Sequence, residues 1–227
     1  MRIPLCRCTL IGVLFASRVF ASACVTTTLD VYVALGATGC TINNEPVFNF
    51  TFSVPSESLG YTPLLASQIE VTPIFTGSGY TVTFSSVPNN GFSVGSSQSV
   101  EYEINFTWDP VVVRAEDDLD PIVPPAFASL STSLCIGALF SPGCGATPGS
   151  LFVMNSGSSS TTFSAVTTVD TQTLLTLNAT SGGSSSITNF SESVFTSPEP
   201  GSLVLAASGF LGLWTATLLR RRGGGRL

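Results

Sequence analysis

Ser99-Val100-Glu101-Tyr102-Glu103-Ile104-Asn105-Phe106-Thr107-Trp108-Asp109 alternates without a break, so that in an extended chain Val100, Tyr102, Ile104, Phe106 and Trp108 share one face and Glu101, Glu103, Asn105 and Thr107 the other. A period of two marks a strand with one face in a core and one toward water, the pattern of an antiparallel sheet. Phe48, Phe50, Phe52 and Val54 alternate with Asn49, Thr51 and Ser53 in the same way, and Tyr80, Val82 and Phe84 with Thr81, Thr83 and Ser85. Shorter apolar runs predict strands at 31–35, 68–75, 111–114, 130–138, 151–154, 161–169 and 173–178. Turn chemistry separates them at Thr76-Gly77-Ser78-Gly79, Pro88-Asn89-Asn90-Gly91, Pro142-Gly143, Gly157-Ser158 and Gly182-Gly183. About ten short strands rich in phenylalanine and threonine predict an all-β fold, an antiparallel β-sandwich of immunoglobulin-like or jelly-roll-like kind, with helix nearly absent from its body. No long internal repeat is visible, which argues against solenoids and propellers.

The charge distribution removes whole classes of function. The 227-residue chain has a formal net charge of −6 and no histidine, and between residues 24 and 197 its one basic side chain is Arg114. Of the 14 acids only Glu199 lies beyond that stretch, leaving 13 between Asp30 and Glu192. Such a surface repels phosphate backbones and anionic lipid heads, so neither nucleic acid nor a membrane surface is an expected partner of the body. Without histidine or lysine there is no Ser-His-Asp triad and no Ser-Lys dyad, and the glycine-rich pieces are turns with no lysine to make a phosphate loop.

Six cysteines divide into Cys6 and Cys8 near the start, and Cys24, Cys40, Cys135 and Cys144 in the body. Four cysteines in an oxidising compartment allow three connectivities, among which sequence proximity favours Cys24 with Cys40 and Cys135 with Cys144. Each loop closure of this size stabilises by about 3 kcal/mol in the chain-entropy picture. A zinc site is disfavoured, since no Cys-x-x-Cys pair and no histidine exist.

Other polar constellations are weaker. The acidic run Glu116-Asp117-Asp118-Leu119-Asp120, with Asp109 just before it, offers hard oxygen ligands for calcium, but it lacks the internal glycine and alternating ligand positions of an EF-hand loop. It reads in preference as a solvated acidic turn, followed by an extended stretch at Pro124-Pro125. Glu101 and Glu103 share a strand face about 7 Å apart, within the range of inverting glycosidases. An exposed polar strand face is the preferred reading of that pair. Trp108, Tyr102 and Tyr80 would make a sugar platform on an open face, but their alternation assigns them to the core.

The two ends carry export signals. Residues 1–23 have a basic start (Arg2, Arg7), an apolar centre and the small-residue ending Ala21-Ser22-Ala23, the layout of a secretory signal peptide handled by the Sec translocon and cut by signal peptidase before Cys24. A lipoprotein reading of Cys24 stays open, although the usual leucine three places earlier is missing. At the other end Ser197-Pro198-Glu199-Pro200 leads into an uncharged segment, 201–219, that stops at Arg220-Arg221-Arg222. Nineteen helical residues span roughly 28 Å, enough for one membrane pass with the arginines on the cytoplasmic side. The order Pro198-Glu199-Pro200, apolar helix, Arg220-Arg221-Arg222 resembles the PEP-CTERM sorting signal of Gram-negative bacteria. That resemblance covers residues 198–222 and implies recognition and cleavage by an integral-membrane exosortase, with release to the cell surface or extracellular polymer.

A looser likeness, carried by Ala34-Leu35-Gly36-Ala37-Thr38-Gly39-Cys40-Thr41-Ile42, Val71-Thr72-Pro73 and Phe92-Ser93-Val94-Gly95-Ser96-Ser97-Gln98-Ser99, is to uncharacterised secreted PEP-CTERM proteins of acidobacteria-like genomes, and it brings no catalytic residue. The chain therefore divides into a signal peptide (1–23), a β-sandwich (24–180), a Ser/Thr/Gly-rich linker (181–197) that holds at most an edge strand at 193–196, and a sorting tail (198–227). The expectation is a non-enzymatic, cofactor-free structural protein of the surface, extracellular matrix or biofilm, transiently anchored in the inner membrane, with exopolysaccharide as a candidate partner. The alternative is a carbohydrate-binding or adhesive module.

Overall fold

The computed structural model describes residues 21–87, 91–122, 126–141, 143–144 and 147–196. The expected signal peptide as far as residue 20 and the expected sorting tail, with Pro198, Glu199, Pro200 and Arg220 to Arg222, lie outside the described residues. Among the described residues no helix is long and apolar enough to cross a membrane.

Two six-stranded sheets form the body. The first runs, in lateral order, β1 (Thr27–Thr28), β4 (Ile69–Phe75), β5 (Gly79–Ser86), β14 (Asn189–Thr196), β8 (Val112–Leu119), β11 (Gly157–Val166). The second runs β10 (Thr147–Met154), β9 (Ala126–Ile136), β12 (Val169–Ala179), β7 (Ser99–Trp108), β3 (Glu45–Glu57), β2 (Cys40–Ile42). A short pair, β6 (Phe92–Val94) and β13 (Ser185–Ile187), stands apart, and neighbouring strands in all three sheets are antiparallel. The all-β sandwich expected from the alternation is the architecture found.

Its core is aromatic. Val100, Tyr102, Ile104, Phe106 and Trp108 are each no more than 1% exposed. Phe106 stacks on Phe50 at 4.9 Å and meets Trp108 edge-on at 5.2 Å, while Phe84 stacks on Phe190 at 5.0 Å across the first sheet. Tyr80 and Tyr102 are buried too, as their alternation required. The Tyr102 hydroxyl is satisfied inside the fold by Tyr61 and by the amide of Leu64.

Gly157-Ser158, expected as a turn, begins β11, and the expected strand 161–169 is broken at 167–168 between β11 and β12. The structure departs further from the sequence reading at four places. The run 31–35, expected as a strand, belongs to helix α1 (Leu29–Leu35). An apolar run this short fits either period. Leu29 and Tyr32, three residues apart, turn one helical face inward, with the Tyr32 ring 4.9 Å from Phe50 and its hydroxyl donating to the Val25 carbonyl. Asp30 suits the positive end of the helix, and Gly36 ends it at φ 53°.

The second departure is a bulge in β3. Phe48 pairs with Thr107 but Thr51 pairs with Asn105, so Asn49 and Phe50 together face the single residue Phe106. Asn49 sits at φ 59°, a region that asparagine tolerates better than most residues. The extra residue flips the phase: Val47 and Phe50 turn to the core, and Phe48 leaves the face it was expected to share with Phe50.

Third, the acidic run is no solvated turn. Residues 116–119 complete β8, in which Ala115, Asp117 and Leu119 are buried while Asp118 is exposed. Fourth, the stretch expected as a linker, 181–197, is mostly strand as far as residue 196. It supplies β13 and β14, and β14 is hydrogen-bonded on both sides, to β5 and to β8, with Phe190, Glu192 and Val194 facing the core. The sandwich thus extends to Thr196. Serine and threonine disguised these strands, because hydroxyls on the outer positions lowered the apolar count without breaking the period.

Candidate functional site

The outward face of β7 and its neighbours carries a patch of polar side chains set in register. Asn105 lies directly between Thr51 of β3 and Gln172 of β12, and Asp170 lies beside Thr107 one pair along. Glu103 accepts from the side-chain amides of Asn105 at 3.0 Å and Gln172 at 3.1 Å. Thr107 donates to Asp170 at 2.7 Å and accepts from the Asn49 amide at 3.5 Å. These bonds tie three strands into one polar floor.

Two segments rise beside it. One is the β9–β10 connection, whose Leu139, Phe140 and Ser141 fold back over the sheet, with the Phe140 amide donating to Asp170 at 2.9 Å. The other is the end of α1 with the β3 bulge, where Val33 and Gly36 stand over Thr51 and the Asn49 amide donates to the Gly36 carbonyl at 2.9 Å. Between them is a groove of about 530 Å³, a size usual for small-ligand sites.

Both disulfides brace these walls. Cys135 pairs laterally with Asp170, and its bond to Cys144 closes the connection that carries Phe140. The Cys24–Cys40 bond encloses α1. This is the connectivity expected from sequence proximity. Gly39, beside Cys40, is there for lack of space: a Cβ would lie 2.2 Å from the Val47 carbonyl oxygen, and its φ is +60°.

A second polar cluster is sealed inside the sandwich. Asp117 and Glu192 face one another on adjacent strands, 1% and 2% exposed. Thr132, Thr171 and Thr173, all buried, meet them from the opposite sheet. Thr173 donates to Glu192 and also lies 2.9 Å from Thr132, whereas Thr171 donates to the Phe106 carbonyl. One oxygen of Asp117, Oδ2, has no partner. Burial pushes the Asp117 carboxyl up to about 7. Glu192 is raised well above the usual carboxylate range, first by burial and then by the neighbouring Asp117. Arg114 lies on the outward face, paired with Glu116 and 4.5 Å over the Phe195 ring, so it neutralises neither acid.

The candidate calcium ligands do not converge. Glu116 is committed to Arg114, Asp117 is in the core, Asp118 is exposed on the other face, and Asp120 and Asp109 sit past opposite ends of β8, with Asp109 accepting from Thr168. Among the described residues no group of three or more His, Cys, Asp or Glu side chains is placed to hold a metal. Glu101 and Glu103 share the outward face of β7 as expected, with Glu103 engaged by its two amide neighbours. Sequence reasoning missed Asn49, Asp170 and Gln172. Their signal was period two within β12, which sets Asp170 and Gln172 on the face opposite buried Val169, Thr171 and Thr173.

No family of known proteins matches the chain, and no curated protein resembles it in sequence. Among solved structures, the TmCBM61 chain bound to β-1,4-galactotriose aligns with 63% of this chain and 86% of its own length, at 12% identity and a TM-score of 0.32. A superposition that loose assigns nothing to this protein. What the fold and the disulfides define by themselves is a class, a stapled β-sandwich of an oxidising, exported setting.

Proposed function

We propose that the protein is a non-enzymatic carbohydrate-binding or adhesive module of the bacterial surface or extracellular matrix, exported by its signal sequence and sorted by an exosortase acting on its C-terminal tail. The observation that carries the binding role is the groove: amide and carboxylate side chains on a rigid sheet floor, an aromatic and aliphatic wall, and both disulfides bracing the segments that rise from it. Sugars ask for that combination, since their hydroxyls need fixed hydrogen-bonding partners and their ring faces need apolar contact. A scaffold with no ligand would have no need of a concave face held this rigidly.

Affinity electrophoresis and a glycan array with the exported protein test the reading. Saturable retardation by at least one polysaccharide, lost in Phe140→Ala with unchanged thermal melting, is the expected result. Retardation equal in the parent and the Phe140→Ala variant would place binding outside the groove, and no retardation by any polysaccharide would return the protein to a purely structural role. The sorting role rests on Pro198-Glu199-Pro200, the apolar segment and the three arginines, and is tested by the Glu199 variant described below.

A further inference from the structure

The groove's chemistry also discriminates between kinds of sugar, an inference that rests on the binding role proposed above. The donors of the floor are turned inward: amide nitrogens of Asn105 and Gln172 go to Glu103, and the Thr107 hydroxyl and Phe140 amide go to the two oxygens of Asp170. A carboxylate only accepts, so Glu103 dictates which way the Asn105 amide is turned. The Asn105 Oδ1 is itself shut off from solvent, but Gln172 is exposed along the groove and its amide nitrogen is likewise held by Glu103, which leaves its amide oxygen to accept. No cation compensates the two carboxylates. Among the described residues the one basic side chain is Arg114, which belongs to the other sheet and is held there by Glu116 and Phe195.

We propose that this groove takes neutral, hydroxyl-bearing saccharides and rejects their acidic counterparts, with Gln172 as the acceptor for a sugar hydroxyl. A uronate, sulfate or phosphate group would meet Asp170 in the groove, with Glu103 close behind Gln172, and find no guanidinium or ammonium to bind. A neutral sugar brings hydroxyl donors to a floor rich in acceptors.

The test uses polymers of one backbone with and without carboxylates: hydroxyethylcellulose against carboxymethylcellulose, and galactan against polygalacturonate, beside neutral mannan, xylan and starch. Affinity electrophoresis of the exported full-chain protein is run at low and at high salt. The expected result is retardation by at least one neutral polymer that is insensitive to salt, with its acidic counterpart at least tenfold weaker at low salt and the gap narrowing as salt screens the repulsion. Gln172→Leu should weaken the neutral polymer at least tenfold, and Asp170→Asn should raise binding of the acidic one, both checked for folding by thermal melting. Binding of the acidic partner as tight as or tighter than the neutral one at low salt overturns the selectivity and leaves the binding role standing. No retardation by any polymer removes the binding role itself, and this inference with it.

Discussion

Raising the pH from 4 to 8 should cost this domain a large part of its stability, and the cause is one pair of side chains. Asp117 and Glu192 face each other in the core with threonines around them and no basic group to offset them. Both acids have folded values above their unfolded ones, so between those limits the native state holds more protons than the unfolded chain. Stability is then complete below the unfolded value of about 4 and is lost as the pH rises through the folded value. For Asp117 the interval runs from 3.8 to about 7. At ~1.4 kcal/mol per pH unit, three units amount to about 4 kcal/mol, and Glu192 adds in the same direction. The pair titrates as a unit, so the loss is assigned to both residues together. Urea unfolding at pH 4, 5, 6, 7 and 8, with unchanged m-values, measures it. Asp117→Asn, which cannot ionise, should flatten the curve and leave the variant more stable than the parent at pH 8. A parent whose stability is flat or rises across this interval would refute the reasoning.

Reducing both disulfides should cost about 3 kcal/mol per bond by loop closure, and groove binding should disappear at lower reductant than the circular-dichroism signal of the sheets, because the bonds enclose the walls and not the strands that pair most extensively. Gly39→Ala should destabilise by roughly 1–3 kcal/mol in thermal melts, since a Cβ collides with the Val47 carbonyl and the backbone is left-handed there. A melt within 1 °C of the parent would contradict this. Glu199→Ala should leave an uncut, membrane-held form in cell fractionation; release at the parental rate would retire exosortase processing in favour of a plain anchor.

The legible part of this fold was the part where polarity follows geometry. β7 was evident because each inward position is large and apolar and each outward one is polar. β14 has the same period, but its inward set is Phe190, Glu192, Val194, and a glutamate in the middle of a core face defeats any count of apolar residues. Asp117 hid β8 in the same way. The two strands concealed each other for one reason: each acid is tolerable inside only because the other and the threonines opposite make a shared polar pocket, a tertiary fact with no local trace. The groove was half legible. The polar face of β7 could be read, whereas the segments that wall it depend on a bulge at Asn49 and on where the β9–β10 connection folds.

The place of β14 between β5 and β8 also sets a timetable. A chain emerging from its N-terminus delivers β1, β4 and β5 early and β8 and β11 later, yet these remain two separate three-stranded and two-stranded pieces until residues 189–196 arrive to join them. Closure of the first sheet therefore cannot precede the arrival of residues 189–196, whatever order the rest takes. It finishes only two residues before Pro198, so a protease waiting at that proline would meet a body whose last strand has barely seated. Folding and processing would then compete for the same few residues, and a cut made upstream of β14 would release a sandwich with an open seam between β5 and β8.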